Sequence, residues 1–247
     1  MLRPKYWARA DDASTVAAAT GQIDGGANSP DANAWAINAT PPYTFAAGDI
    51  ITLEAWVKRP SIVSNYDPII SLSLNRAESG ARRNFELDFS GGLLGEPAQA
   101  ISFHYWNAAD NAWNAFAHNA ADNDTTTFHH YAFTYTFGTA GSAQLYKDGS
   151  AITGSWTSGT GNDAPYTTGI DALYLYTTNQ SGEYLGGIGD EIRVSKGIAR
   201  SADWVKTEYN NQNSPSTFFS ISGPFQSAGS NIIARGGIKS RGGVKFR

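Results

Sequence analysis

The chain has 247 residues and a formal net charge of −4, with 41% hydrophobic and 16% charged residues. That charge content is below the roughly 25% of ordinary soluble domains, which argues against disorder, and no run of about 18 apolar residues is present to span a membrane as a helix. Cysteine is absent, so disulfides, thiolate chemistry and cysteine-based zinc sites are excluded.

The charge is unevenly placed. Every acid lies at or before Glu208, whereas Arg235, Lys239, Arg241, Lys245 and Arg247 follow it, and Arg3, Lys5 and Arg9 make the other end basic. An acidic body therefore carries two basic termini. The stretch from Ala13 to Ala19 is too short and too weakly apolar for a secretory core, so we expect a chain that stays in the cell that makes it or leaves by assembly or lysis.

Short β-like runs punctuated by Gly, Asn, Asp and Pro dominate, as in an all-β sandwich. In chain order the predicted strands are Ile50 to Val57, Pro68 to Leu74, Arg83 to Phe89, Ala100 to Trp106, His129 to Phe137, Ala143 to Lys147, Ala151 to Trp156, Leu173 to Tyr176 and Glu191 to Ser195. Several alternate apolar with polar residues, as one core face and one wet face require. Lys147-Asp148-Gly149-Ser150 predicts a tight hairpin, because Asp-Gly supplies the positive φ angles of its turn. Ser201 predicts the N-cap of one short helix that ends before Asn210-Asn211, and a last strand is expected from Ser214 to Phe219.

The tail repeats itself once: Arg235-Gly236-Gly237-Ile238-Lys239-Ser240 precedes Arg241-Gly242-Gly243-Val244-Lys245-Phe246. The apolar Ile238, Val244 and Phe246 suit docking on protein better than nucleic acid. We therefore expect an assembly arm of Arg235, Ile238, Lys239, Arg241, Val244, Lys245 and Phe246.

Leu53-Glu54-Ala55-Trp56-Val57-Lys58, His129-His130-Tyr131-Ala132-Phe133-Thr134-Tyr135, Leu145-Tyr146-Lys147-Asp148-Gly149 and Gly189-Asp190-Glu191-Ile192-Arg193-Val194-Ser195, with Ala199-Arg200-Ser201-Ala202-Asp203-Trp204 after it, occur in that order. Together they resemble the laminin G-like branch of the concanavalin A-like lectin/glucanase superfamily. The resemblance implies a two-sheet antiparallel jelly roll with a curved, groove-bearing face. The expected organisation is an N-terminal extension over 1–32, the jelly-roll domain over 33–222 and a basic Gly-rich arm over 223–247.

A glucanase of this superfamily needs two carboxylates about 5 Å apart. Glu86-Leu87-Asp88-Phe89 begins the Glu-x-Asp-x-x-Glu pattern, but no acid follows until Glu96, so Glu86 and Asp88 read as wet-face residues beside Arg82 and Arg83 and no catalytic residue is expected. His104, His118, His129 and His130 offer no compact metal motif, and neighbours 129 and 130 point to opposite faces of a strand. No other cofactor is required, although the resemblance implies that Asp190, at the start of the closing strand, is a calcium ligand in members that bind the ion. Trp106, Trp113 and Trp156, with Tyr105 and Tyr176, read either as core or as a sugar platform. The candidate glycan site is Trp106, Asp110, Asn111, Trp113, Asp122 and Asp124, in which Asn and Asp would bind hydroxyls.

The expected protein is a non-enzymatic structural or decoration component of a phage virion, in capsid or tail, built on a lectin-like jelly roll with glycan-binding ability. Its partners are other virion proteins or copies of itself, met through the basic termini, with no nucleic acid and no membrane insertion. The alternatives are a lectin-like adhesion module not tied to a virion and, more remotely, a glycoside hydrolase.

Overall fold

The computed structural model describes residues 17–23, 25–29, 36–38, 44–59, 66–74, 82–170, 172–178 and 182–215. The basic arm 223–247 and the cations near the N-terminus lie outside them. The strands are β1 (Ala17–Ala19), β2 (Gly26–Ser29), β3 (Ala36–Asn38), β4 (Ile50–Lys58), β5 (Asp67–Ser73), β6 (Arg83–Phe89), β7 (Ile101–Trp106), β8 (Trp113–His118), β9 (His129–Thr136), β10 (Gln144–Lys147), β11 (Ser150–Ile152), β12 (Gly154–Ser158), β13 (Ala172–Leu175) and β14 (Gly187–Lys196). One helix, α1 (Ala202–Asn213), follows.

Two sheets form, in the orders β1-β2-β14-β4-β9-β10-β11 and β12-β8-β7-β6-β5-β13-β3. Alternation decides which side chains meet between them. On β4, Ile51, Leu53, Ala55 and Val57 point inward, and on β6 Phe85, Leu87 and Phe89 do the same. Aromatic rings fill the middle: Phe103 of one sheet stacks on Phe133 of the other at 4.2 Å, and the hydroxyls of Tyr105 and Tyr135 meet at 3.2 Å. A sandwich of facing sheets is the result.

The opposite face of the first sheet is closed by α1. Ser201 caps the helix, its hydroxyl accepting from the Trp204 N–H at 3.2 Å. Val205 is buried against Ala132 and Tyr146, and Tyr209 stacks on Trp56 at 5.5 Å. Trp56 is buried under this helix.

Four expectations need correction. The run Ala151 to Trp156 is two strands, because Thr153 carries the chain from β11 at the edge of one sheet to β12 at the edge of the other. The helix does not stop before Asn210-Asn211, since Tyr209 and Gln212 find partners on the sheet and extend it to Asn213. Ser214 is its C-cap rather than the start of a strand, and the remainder of that predicted strand, from 216 on, lies outside the described residues. Trp113 opens strand β8, which is missing from the predicted strands. The Asp148-Gly149 hairpin forms as expected, with φ of 50° and 73°.

Candidate functional site

The outer face of the second sheet carries the candidate site. Registers place Ser71, Glu86, His104 and Ala115 in one row across β5, β6, β7 and β8, with Asp88, Ser102 and Ala117 in the next. At the far end of β7 and β8, Trp106 pairs with Trp113. A bulge places Arg83 and Phe85 opposite the successive residues Ser73 and Leu72, which turns Arg83 onto the face that holds Glu86. The extra residue, Asn84, is buried and ties down Phe45, accepting its N–H and donating to its carbonyl at 2.8 Å each.

The end of this face is an aromatic corner. Trp106 and Trp113, both half-buried, meet edge to face at 5.0 Å, an arrangement worth about 0.5–1.5 kcal/mol beyond burial. Between the two strands, Asn107 builds the loop: its Oδ1 accepts from the N–H groups of Asn111 and Ala112 at 3.1 Å each. Asp110 sits in the loop at φ 57° and accepts from the Trp106 indole at 2.7 Å. Arg82 bonds both oxygens of Asp110, and with Trp106 it holds that carboxyl below the usual carboxylate range. The Arg82 guanidinium also lies over the Tyr166 ring at 5.7 Å.

Next to the corner lies a buried polar cluster. Arg83 sits over the Trp113 ring at 5.3 Å and reaches Glu86 and Glu183. Glu86 and Asp88 are 0% exposed, not wet as expected. The β6–β7 hairpin folds Glu96 back toward the same face, its Oε1 3.7 Å from His104 Nε2 and accepting from Tyr66 at 2.9 Å. The acid missing from the strand thus arrives from a loop. Burial above all, with the Asp88 and Glu183 charges and against the pull of Arg83, raises Glu86 well above the usual range for a glutamate.

The six expected glycan residues do not form one site. Trp106, Asp110, Asn111 and Trp113 come together, but Asp122 and Asp124 lie at the other end of the sandwich. Asp122 donates its N–H to Gln99 just before β7 begins, and that strand's length, about 20 Å, separates it from Trp106. Asp122 is buried rather than a solvated turn residue: against the cost of burial, Lys147 and Tyr131 bond its Oδ2 and keep its pKa low. Asp124 accepts from Thr126 and Thr127 and faces His129 at 3.1 Å. Tyr105 and Tyr176 are core residues, and Trp156 packs on Phe116, Tyr105 and Tyr135.

Both carboxylate oxygens of Asp190 accept backbone hydrogen bonds. Oδ2 accepts from the Ile23 N–H and Oδ1 from the Glu191 N–H, both at 2.8 Å. Glu191, at φ 49° in a β14 bulge, sets this arrangement. The carboxylate ties the 21–23 turn to the closing strand.

Sequence spacing missed Arg82, Tyr166, Glu96, Tyr66 and Glu183, all of which reach this face from loops or from strand starts.

Comparison with known proteins agrees with this architecture. The Laminin G 3 family model, described as the concanavalin A-like lectin/glucanases superfamily, matches residues 31–206, and the chain belongs to that family. No curated protein matches the chain. Among solved structures, domain 4 of AbnA, a GH43 extracellular arabinanase from Geobacillus stearothermophilus in complex with arabinotriose, is 15% identical with a TM-score of 0.54, over 78% of this chain and 80% of that one. The binding domain of Paraclostridial Mosquitocidal Protein 1 is 9% identical with a TM-score of 0.51, and the receptor binding domain of botulinum neurotoxin D is 13% identical with a TM-score of 0.53. Each of these two alignments covers 81% of this chain and 46% of the other, so the chain spans less than half of either. At these identities the likeness is one of fold.

Proposed function

We propose that this chain is a non-catalytic carbohydrate-recognition module whose ligand rests on Trp106 and Trp113 and is held at its hydroxyls by Arg82, Asp110 and Asn111. The observation that carries this reading is the half-buried indole pair beside an exposed guanidinium–carboxylate pair, on a loop fixed from beneath by Asn107. Indole faces suit the apolar faces of sugar rings, and preorganised polar groups add directional bonds at little entropic cost. Membership of a lectin/glucanase superfamily and the sugar-bound arabinanase domain support the reading by analogy. Burial of Glu86 and Asp88 argues against hydrolysis, because a glycosidic bond cannot lie between carboxylates that solvent does not reach. Titration of tryptophan fluorescence against an oligosaccharide panel, backed by a glycan array, tests this. Saturable binding that Trp113→Ala abolishes without lowering the melting point supports it; a flat response to every glycan overturns it.

We further propose that the module serves on a phage particle, as a capsid or tail component docked through its basic termini. The support is compositional: an acidic body and an acid-free segment after Glu208 with five cations and the apolar Ile238, Val244 and Phe246. Exposed ion pairs contribute roughly 0 to 1 kcal/mol each, so the apolar side chains would supply most of the docking energy. Deleting residues 223–247 should leave a cooperatively melting domain that no longer joins its particle or its own copies. Normal assembly of the truncated chain would exclude the arm.

A further inference from the structure

We propose that Glu86, Asp88 and His104 form a binding site for one divalent transition-metal ion of the zinc class, separate from sugar binding. One ligand atom from each of the three side chains lies within 4.8 Å of the others. The three residues are 0%, 0% and 1% exposed.

Each carboxylate is held by one oxygen; the other oxygen of Glu86 is bare and that of Asp88 meets only His104. Arg83 donates to Glu86 Oε2, and Ser102 donates to Asp88 Oδ1. Glu86 Oε1 and Asp88 Oδ2 accept no hydrogen bond, and neither does His104 Nε2 take part in one. Asp88 Oδ2 lies 3.0 Å from His104 Nδ1, a spacing that two ligands of one small cation adopt at metal–ligand distances of about 2.0–2.2 Å. Orientation of ligating carboxylates by such outer donors is how metal sites are held.

Charge balance points the same way. Four carboxylates meet one guanidinium and one imidazole: Glu86 and Glu183 bond Arg83, while Asp88 and Glu96 stand at the two ring nitrogens of His104. Buried carboxylates left in such excess must take up protons or a cation. The imidazole and two carboxylates favour zinc over the hard, all-oxygen preference of calcium or magnesium. Glu96, oriented by Tyr66, stands 3.7 Å from His104 Nε2, where it would take the Nε2–H of an imidazole that ligates through Nδ1.

The test uses the full chain, stripped with a chelator and refolded with zinc chloride, with calcium chloride as the comparison. We expect one zinc per chain by elemental analysis, a higher melting midpoint with zinc and none of this with calcium. His104→Gln and Asp88→Asn should lose the zinc, while His129→Gln, altering the half-buried histidine near Asp124 and Asp148, should keep it. Because substitution in a buried cluster can prevent folding, cobalt binding to the unsubstituted chain is the second readout. It should give visible d–d absorption and quench the fluorescence of Trp113, whose ring centroid is 6.4 Å from that of His104. A refolded chain that retains no zinc and melts unchanged, or a folded His104→Gln chain that still binds one zinc, would overturn the proposal.

Discussion

The indole N–H of Trp56 donates to Oε1 of Gln212 at 2.5 Å, joining the outer face of the first sheet to the last turn of the helix. Both partners are buried. Replacing Gln212 with Leu leaves the indole donor without an acceptor, and an orphaned buried donor costs roughly 1–3 kcal/mol. Denaturant unfolding should show a lower midpoint with an unchanged slope. An equal midpoint would mean that the helix end contributes nothing to global stability.

Beneath the same helix, Glu54 and His130 stand 3.8 Å apart with opposite shifts. Burial first, then the field of Glu208 working against Arg193, raises Glu54 to about 7. Burial first, then Arg193, lowers His130 to about 4. The glutamate contribution is complete below its unfolded value near 4.5 and is lost as pH rises through about 7. The histidine contribution is complete above its unfolded value near 6.5 and is lost as pH falls through about 4. Each group alone would change stability by the order of 3 kcal/mol, but the two windows overlap and cancel between about pH 4.5 and 6.5, so the pair gives a flat maximum centred between about pH 5 and 6 that falls by less than about 1 kcal/mol on either side. Melting across pH should show the alkaline limb flattened in Glu54→Gln and the acid limb flattened in His130→Gln; parallel profiles in all three proteins would refute the assignment.

Gly149 has φ +73°, and a Cβ there would stand 3.0 Å from Tyr209 Cδ1 and 3.1 Å from the Lys206 Cα. Gly149→Ala should thus strain the hairpin and push on the helix at once, a loss of the order of 1–3 kcal/mol by thermal unfolding. A neutral substitution would show that the helix shifts freely on the sheet.

Polysaccharides should release no reducing ends when incubated with the full chain, since Glu86 and Asp88 are closed off and Arg83 occupies one oxygen of Glu86. Hydrolysis that disappears in Glu86→Gln would reverse this expectation.

Local pattern made most of the sandwich readable. The strand Arg83–Phe89 was read to its exact ends because Phe85, Leu87 and Phe89 alternate with Asn84, Glu86 and Asp88. The division at Thr153 was not readable, because the side chains of Ala151 to Trp156 suit one strand as well as two and only tertiary pairing sends them to different sheets. Asn210-Asn211 reads as a stop by propensity, and the tertiary partners of Tyr209 and Gln212 override it. In the site, the Trp106–Asp110–Trp113 group was legible because a single hairpin holds it. Glu96 was not, since spacing along a strand says nothing of a residue that a loop folds back, and burial of Asp122 depends on Tyr131 and Lys147, distant in the chain.

Helix α1 closes one broad side of the sandwich, while the face that carries Glu86 and Trp113 lies on the other. The domain therefore has a back and a front. Anything that holds it by the helix side leaves the indole corner pointing away from the support, so a lawn of such domains would show its aromatic corners to whatever approaches from outside.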